Sequence, residues 1–381
     1  MLSNADVQEL TEFRRELHRY PEISRQEAGT AARIVTELEA LAPDAILRGL
    51  GGHGVAAVFE GIGEGPTVLF RAELDALPIE EISTFDWRSD VPGKGHLCGH
   101  DGHMCFLLGL GRRLSRAPVS KGRVVLMFQP AEEDGSGARA VVADPAFTQI
   151  APEYAFAIHN EPGIALGQVA TRAGLVNCAS QGMAIKLSGK TAHAANPEDG
   201  TSPALAISTL IPQLDSLGVG GVLDDAFKLV TITHVRIGEP TFGIAPGDAE
   251  IFITLRTAQD APMAELAKQA QEMAQRAAQA HGLKVSFETC DDFAASINDA
   301  EAVQIACAAL ADLGIEVSDG NLPIRASEDF GVFGWNAKAA MLCLGAGAEH
   351  AALHNPDYDF PDDLIPLGVN IFERIARDLL G

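Results

Sequence analysis

Between residues 95 and 104 the chain reads GHLCGHDGHM. His96, Cys98, His100, Asp101 and His103 thus fall within eight positions. Imidazole, thiolate and carboxylate are the donor groups that hold transition metals. Glycines at 99 and 102 let the backbone turn sharply enough to aim several donors at one point. The competing reading is a polar loop with surface histidines, but the donor density favours metal. Cys98 and His100 are the better placed direct ligands. His103, on the helix side, is either a further ligand or a residue that orients one.

A second chemical signal is VVLMFQPAEEDGSG, residues 124–137. An apolar strand runs there into a loop with adjacent Glu132 and Glu133, and active sites of α/β proteins sit at such strand ends. Adjacent side chains of an extended segment point in opposite directions, so one carboxylate can bind metal while the other faces substrate. Two single histidines follow, His159 in FAIHN and His354 in ALHNPDYDF. Each alone reads as structural. Added to Cys98, His100 and Glu133 they complete a five-ligand set of mixed N, O and S character, which suits a dinuclear hydrolytic centre better than a closed structural zinc. The glycine pattern G-L-G-G-H-G at 49–54 matches a dinucleotide fingerprint, but that needs a strand before it and a helix after. Val55–Phe59 reads as a strand, so we expect only a glycine turn.

The elements that must position these residues follow from periodicity. Val7, Leu10, Phe13 and Leu17 predict a helix that Pro21 stops. Ser24 and Glu27 carry the capping-box spacing before a second helix to Leu41. Val55–Phe59, Thr67–Ala72, Val124–Phe128 and Tyr154–Ile158 read as strands, and Met104–Leu114 as a buried helix. The alternation predicts an α/β sheet with covered faces. From Met183 to Phe287 the order becomes β-α-β-β-α-β, a ferredoxin-like unit complete in itself. Residues 178–291 are therefore expected to form an inserted domain, and 1–177 with 292–381 the domain that carries the chemistry. Helix Ala300–Leu313, strand Ala339–Leu344 and helix Leu364–Leu380 would close the first domain.

The chain has 381 residues, 28 Lys+Arg against 52 Asp+Glu, and a net charge of −24. That balance argues against nucleic acid or an anionic membrane as partner. No apolar run reaches a membrane span, and the charged start has no apolar core of an export signal, so a cytoplasmic location is expected. Six scattered cysteines do not read as a disulfide framework.

In order and spacing these motifs resemble the M20 family of metallopeptidases, in its branch of hippurate hydrolases and auxin-conjugate hydrolases. The matching stretches are RELH with Pro21-Glu22, FRAELDALPI (70–79), CGHDGH (98–103), QPAEE (129–133), FAIHN (156–160), SGKTAHAA (188–195), LRT (255–257), SEDF (327–330) and His354-Asn355-Pro356. They cover nearly the whole chain. The resemblance implies a mixed-sheet α/β catalytic domain with an inserted lid or dimerisation domain, and two divalent metals (Mn, Zn, Ni or Co) held by Cys98, His100, Glu133, His159 and His354. Cys98 would be the bridging thiolate and Glu132 the general base. Asp75 would orient a ligand imidazole, Arg256 hold a substrate carboxylate, and His193 reach a partner subunit's site in a homodimer. Glu73 stands where other branches carry a ligand histidine. Three stretches depart from the branch pattern: Gly243-Ile244-Ala245-Pro246, Thr191-Ala192-His193 and Asn196-Pro197. They bear on substrate choice rather than on the metals.

The implied activity is metal-dependent hydrolysis of the amide bond of an N-acyl amino acid or similar small conjugate. A dipeptidase or carboxypeptidase reaction on the same site is the alternative. A non-catalytic binding protein is disfavoured because every expected ligand and Glu132 are present.

Overall fold

A computed structural model describes residues 2–381. Helix α1 (Asn4–Arg19) buries Leu10 and Leu17. Its capping box is made by Ser3 and Asp6, each accepting from the other's backbone N–H. Helix α2 (Ala28–Leu41) opens differently from the sequence expectation. Its N-cap, Glu27, makes no side-chain cap bond, because Ser24 and Glu27 turn toward the site instead. Strands β1 (Ala45–Leu50) and β2 (Gly54–Glu60) form a hairpin. The glycines at 49, 51 and 52 take left-handed backbone in its turn, so the dinucleotide pattern is a glycine turn with a strand after it.

Strand β3 (Gly63–Glu73), helix α3 (His100–Arg116), strand β4 (Lys121–Gln129), helix α4 (Gly137–Ala143) and strand β5 (Tyr154–Pro162) follow. β3 pairs in parallel with both β4 and β5, and Glu73 stands opposite Gln129 at their carboxyl ends. Antiparallel pairing of β2 with β4 makes the sheet mixed. Helix α3 is buried almost to its end, from His100 to Gly111.

The chain then forms a second unit, Asn177–Ala295, to which 323–327 also belongs. Strands β6 (Ala179–Ser188), β7 (Lys228–Ile237), β8 (Asp248–Thr257) and β9 (Lys284–Phe293) pair antiparallel in the order β7-β8-β6-β9. Helices α5 (Ala204–Asp215) and α6 (Asp260–Ala280) complete the β-α-β-β-α-β order. β8 buries alternate residues, Ala249, Ile251, Ile253 and Leu255, the signature of a sheet with one covered face.

The first unit resumes with α7 (Ala300–Asp312), β10 (Lys338–Gly347) and α8 (Leu364–Leu380). β10 joins β5 in parallel, with Cys343 opposite His159. The sheet runs β1-β2-β4-β3-β5-β10, with two short strands beyond. Phe70, Phe106 and Phe372 from β3, α3 and α8 meet in its core. Among the described residues no helix is long and apolar enough to cross a membrane.

Candidate metal centre

The donors gather at the carboxyl ends of the parallel strands and the start of α3. Gly99, with φ at +91°, caps α3. A Cβ there would meet Asn160 Oδ1 at 2.0 Å, so the Cys98 loop can run against Asn160 only as glycine. Asn160 Nδ2 donates to the Cys98 carbonyl at 2.9 Å, and its Oδ1 accepts from the Tyr358 hydroxyl.

His100 opens the helix. Its Nδ1 meets the main-chain oxygen of Asp75 at 2.9 Å, while the Asp75 carboxylate is 3.6 Å away. Asp75 thus orients this imidazole through its backbone. Its carboxylate accepts from Ser24 Oγ at 2.7 Å and from the Glu133 N–H at 3.0 Å. With Nδ1 as donor, the neutral His100 ring would present Nε2 as its lone-pair nitrogen. It lies 3.9 Å from Glu132 and 3.8 Å from Glu133.

Beyond β4 the chain turns through Ala131, whose φ is +49°. Glu132 and Glu133 then diverge. Glu132 groups with Glu328 and Asp329, Glu133 with Cys98 and His354, and both with His100. His159 Nδ1 donates to its neighbour's carbonyl at 2.7 Å, leaving Nε2 3.5 Å from Cys98 Sγ. His354 is tied in by its N–H on the Leu97 carbonyl at 2.8 Å, with Nε2 3.6 Å from Glu133.

Among the described residues five donor clusters have ligand atoms within 4.8 Å of one another: Glu73–His100–His103, His100–Glu132–Glu133, Glu132–Glu328–Asp329, and two that hold the expected ligands, Cys98–His100–His159 and Cys98–Glu133–His354. The last two share Cys98. The five residues expected as ligands all fall within these clusters, which suit a dinuclear divalent-metal site. The electrostatics agree with that fit. His100 Nε2 and Glu133 Oε1 are buried without a hydrogen-bond partner, which is costly unless something binds them. Burial pushes Glu133 up to about 7, and burial with Glu328 and Glu133 nearby pushes Glu132 well above the usual carboxylate range. Burial lowers His100, but Glu73 and the other carboxylates outweigh it and lift the imidazole to about 10. Burial also raises the Cys98 thiol and drops His159 to about 3. These are the directions of a buried, carboxylate-rich pocket; divalent cations bound there would favour the deprotonated donors instead.

Of the remaining donors of the 95–104 segment, His103 and Asp101 are committed elsewhere. His103 Nε2 accepts the Asn160 backbone N–H at 3.1 Å, and its Nδ1 meets Glu73 at 2.7 Å, so His103 positions a strand end. Asp101 pairs with His18 at 2.9 Å and with buried Arg14. Burial brings His96 to about 4, and neither of its ring nitrogens has a partner.

Sequence reasoning missed the hub formed by Arg71. This fully buried guanidinium binds Glu73, Glu328, Asp329 and Gln129. A charged residue in an otherwise apolar strand run was the available signal. Glu73 is thereby explained: it joins Arg71 to His103.

Arg256 and His193 lie in the second unit. Arg256 Nη1 donates to the Arg325 carbonyl at 2.6 Å and to Ser327 Oγ at 2.7 Å. His193 is exposed on a two-residue strand paired with Ile244 and Ala245. Its Nδ1 accepts from the Ala195 N–H at 3.1 Å, so the neutral ring carries its proton on Nε2.

Comparison with known proteins agrees with this geometry. The chain is 30% identical over 383 residues to IAA-amino acid hydrolase ILR1-like 4 of Arabidopsis thaliana, covering 97% of this chain and 85% of that one. It is 30% identical over 377 residues to N-acetyl-L-cysteine deacetylase of Bacillus subtilis, covering 98% and 88%. A crystal structure of a dinuclear metal-binding peptidase of the M20 family from Bacillus subtilis superposes with a TM-score of 0.81 at 26% identity, over 99% of both chains. Residues 69–378 match the model of peptidase family M20/M25/M40. With its donor clusters at the strand ends and a βαββαβ unit inserted in the chain, this protein belongs to peptidase family M20/M25/M40.

Proposed function

We propose that the protein hydrolyses the amide bond of an N-acyl amino acid or a related small conjugate. The observation that carries this reading is the pair of donor groups sharing Cys98, with Glu132 outside both and close enough to His100 and Glu133 to form a cluster with them. Cys98, His100, Glu133, His159 and His354 would hold two divalent cations. Bound there, such cations acidify a water and polarise the scissile carbonyl.

Glu132 accepts the water's proton as the oxygen attacks the carbonyl carbon, then delivers it to the amine nitrogen as the C–N bond breaks. Burial, then the nearby Glu328 and Glu133, raise its proton affinity; the charge of cations held beside it would lower that affinity and leave the carboxylate able to act as base. Arg256 offers a guanidinium for a substrate carboxylate, the geometry in which arginine is strongest. The Nε2–H of His193 is a donor for the developing oxyanion. His193 would serve the site of a partner subunit, so the working unit is a homodimer. A cytoplasmic setting suits six free cysteines, since a ligand thiol must stay reduced.

The relatives support this substrate class: the two named above act, by their names, on an amino-acid conjugate and on an N-acetyl amino acid. The test is a hydrolysis screen of N-acetyl amino acids, N-benzoyl amino acids and dipeptides with Mn²⁺, Zn²⁺, Ni²⁺ or Co²⁺ added. Release of amine from the N-acyl substrates is expected. Turnover of dipeptides alone would replace the reading with a peptidase, and turnover of none would end it.

A further inference from the structure

The segment between α1 and α2 grips the catalytic loop at three places. Ser24 Oγ donates to the Asp75 oxygen that also accepts the Glu133 N–H. Arg25, itself at φ +66°, pairs with Asp134 at 2.8 Å. Glu27 Oε1 accepts the Ala131 N–H at 2.8 Å and the Arg25 N–H at 2.8 Å. Glu27 is completely buried, and its second oxygen has no partner. A carboxylate at a helix N-cap ordinarily accepts from the helix's own first turn, yet this one makes no such bond. Its side chain is committed to the loop that carries Glu132 and Glu133.

The residue it holds is the one with unusual backbone. Ala131 is left-handed, at φ +49°, a conformation an L-residue with a Cβ resists. Its carbonyl is held from the other side by the Gly137 N–H at 2.9 Å. The turn there sends Glu132 toward Glu328 and Glu133 toward Cys98 and His354, while both stay near His100 Nε2, at 3.9 and 3.8 Å.

We infer that Glu27 is a positioning residue for the paired glutamates. By fixing Ala131 in the left-handed region it separates a general base from a metal ligand one residue apart. The inference rests on the roles of Glu132 and Glu133 given under Proposed function. Outer partners of metal ligands typically control affinity or activity by about 10–100-fold, and small misplacements of reacting groups cost similar factors.

The test compares Glu27→Ala, Glu27→Gln and Glu27→Ala/Ala131→Gly, in the full chain, by calorimetric titration of metal-free protein with Zn²⁺ and by steady-state kinetics. Glu27→Ala should weaken Zn²⁺ binding by about tenfold or more and lower kcat by about 10–100-fold, with KM changed less than about threefold. Glu27→Gln keeps the accepting oxygen and should recover both. Ala131→Gly, free to adopt positive φ, should recover most of both losses in the Glu27→Ala background. Should Glu27→Ala fail to fold by circular dichroism, Glu27→Asp, one methylene too short to reach, takes its place. Unchanged Zn²⁺ affinity and kcat would overturn the inference, as would a double variant no better than Glu27→Ala. If the native protein hydrolyses none of the substrates, the proposed function fails, and the Zn²⁺ titration still decides the role of Glu27.

Discussion

The backbone N–H of Asn160 donates to Nε2 of His103 at 3.1 Å, which consumes the only lone pair that ring could offer a metal. Two histidines three residues apart on α3 therefore differ in kind. His100 has a free Nε2, and His103 does not.

Replacing His103 should accordingly leave the metal count intact. At saturating Mn²⁺, His103→Gln is expected to hold as much metal as the native protein by elemental analysis, whereas His100→Ala should hold less. His103→Gln should also be less stable by about 1–3 kcal/mol, because Glu73 and the Asn160 amide lose a buried partner. Loss of one metal equivalent in His103→Gln would make it a ligand after all.

Glu132 and Glu133 should separate in the same assay. Glu132→Gln cannot accept a proton and should lose about 10²–10⁴-fold in kcat while retaining metal. Glu133→Gln should instead weaken metal binding, with activity partly restored by excess metal. Identical behaviour of the two variants would contradict the division of roles.

If His193 completes a partner's site, inactive subunits should complement. His193→Ala and Glu132→Gln homodimers should each be nearly inactive, with the loss of an oxyanion donor worth roughly 2.7–4 kcal/mol. Subunit exchange should restore activity, since a mixed dimer carries one intact composite site. Proven exchange without recovery would place His193 in its own subunit's site or outside the chemistry.

Asp6 sets an acid limit on stability that is independent of the metals. Its carboxylate accepts from Arg116 at 2.6 and 2.7 Å and from Ser3. The Arg116 hydrogen bond, followed by those of Ser3, outweighs burial and holds its pKa well below the ordinary value. A depressed folded-state pKa contributes stability that is complete above the unfolded value, near 4, and fades as pH falls below it toward the folded one. Arg116 is half-exposed, so water screens the pair. Asp6→Asn should cost about 1–2 kcal/mol at pH 7 and progressively less below pH 4. A denaturant midpoint difference that stays constant from pH 7 to pH 2 would refute this.

The candidate donors were legible because metal chemistry restricts residue type, and QPAEE and CGHDGH follow or precede strongly periodic elements. Helices α1, α3 and α8 and the β-α-β-β-α-β order were legible for the same reason: burial imposes a period. What local pattern could not show was partnership across the chain. Ser24 and Glu27 have capping-box spacing, but Arg25 takes positive φ between them and both side chains leave the helix for residues 75 and 131. The capping box that does form, Ser3 with Asp6, has aspartate at its third helical position in place of the usual Glu or Gln. Arg71 finds two of its four partners more than 250 residues away, and no window of sequence contains that.

The insertion of one unit within another bears on the order in which the molecule forms. Four of the five donors lie before the insert, and His354 lies beyond it. During synthesis the early donors must wait for the last one. The wait is shortened by pairing inside the insert, whose first and last strands are neighbours, with Ser180 opposite Phe293. Closing a loop of more than a hundred residues has an entropic cost of about 4 kcal/mol from its length alone. Once the insert has folded, that cost is already met, and β10 and the His354 loop arrive as though the chain had never left.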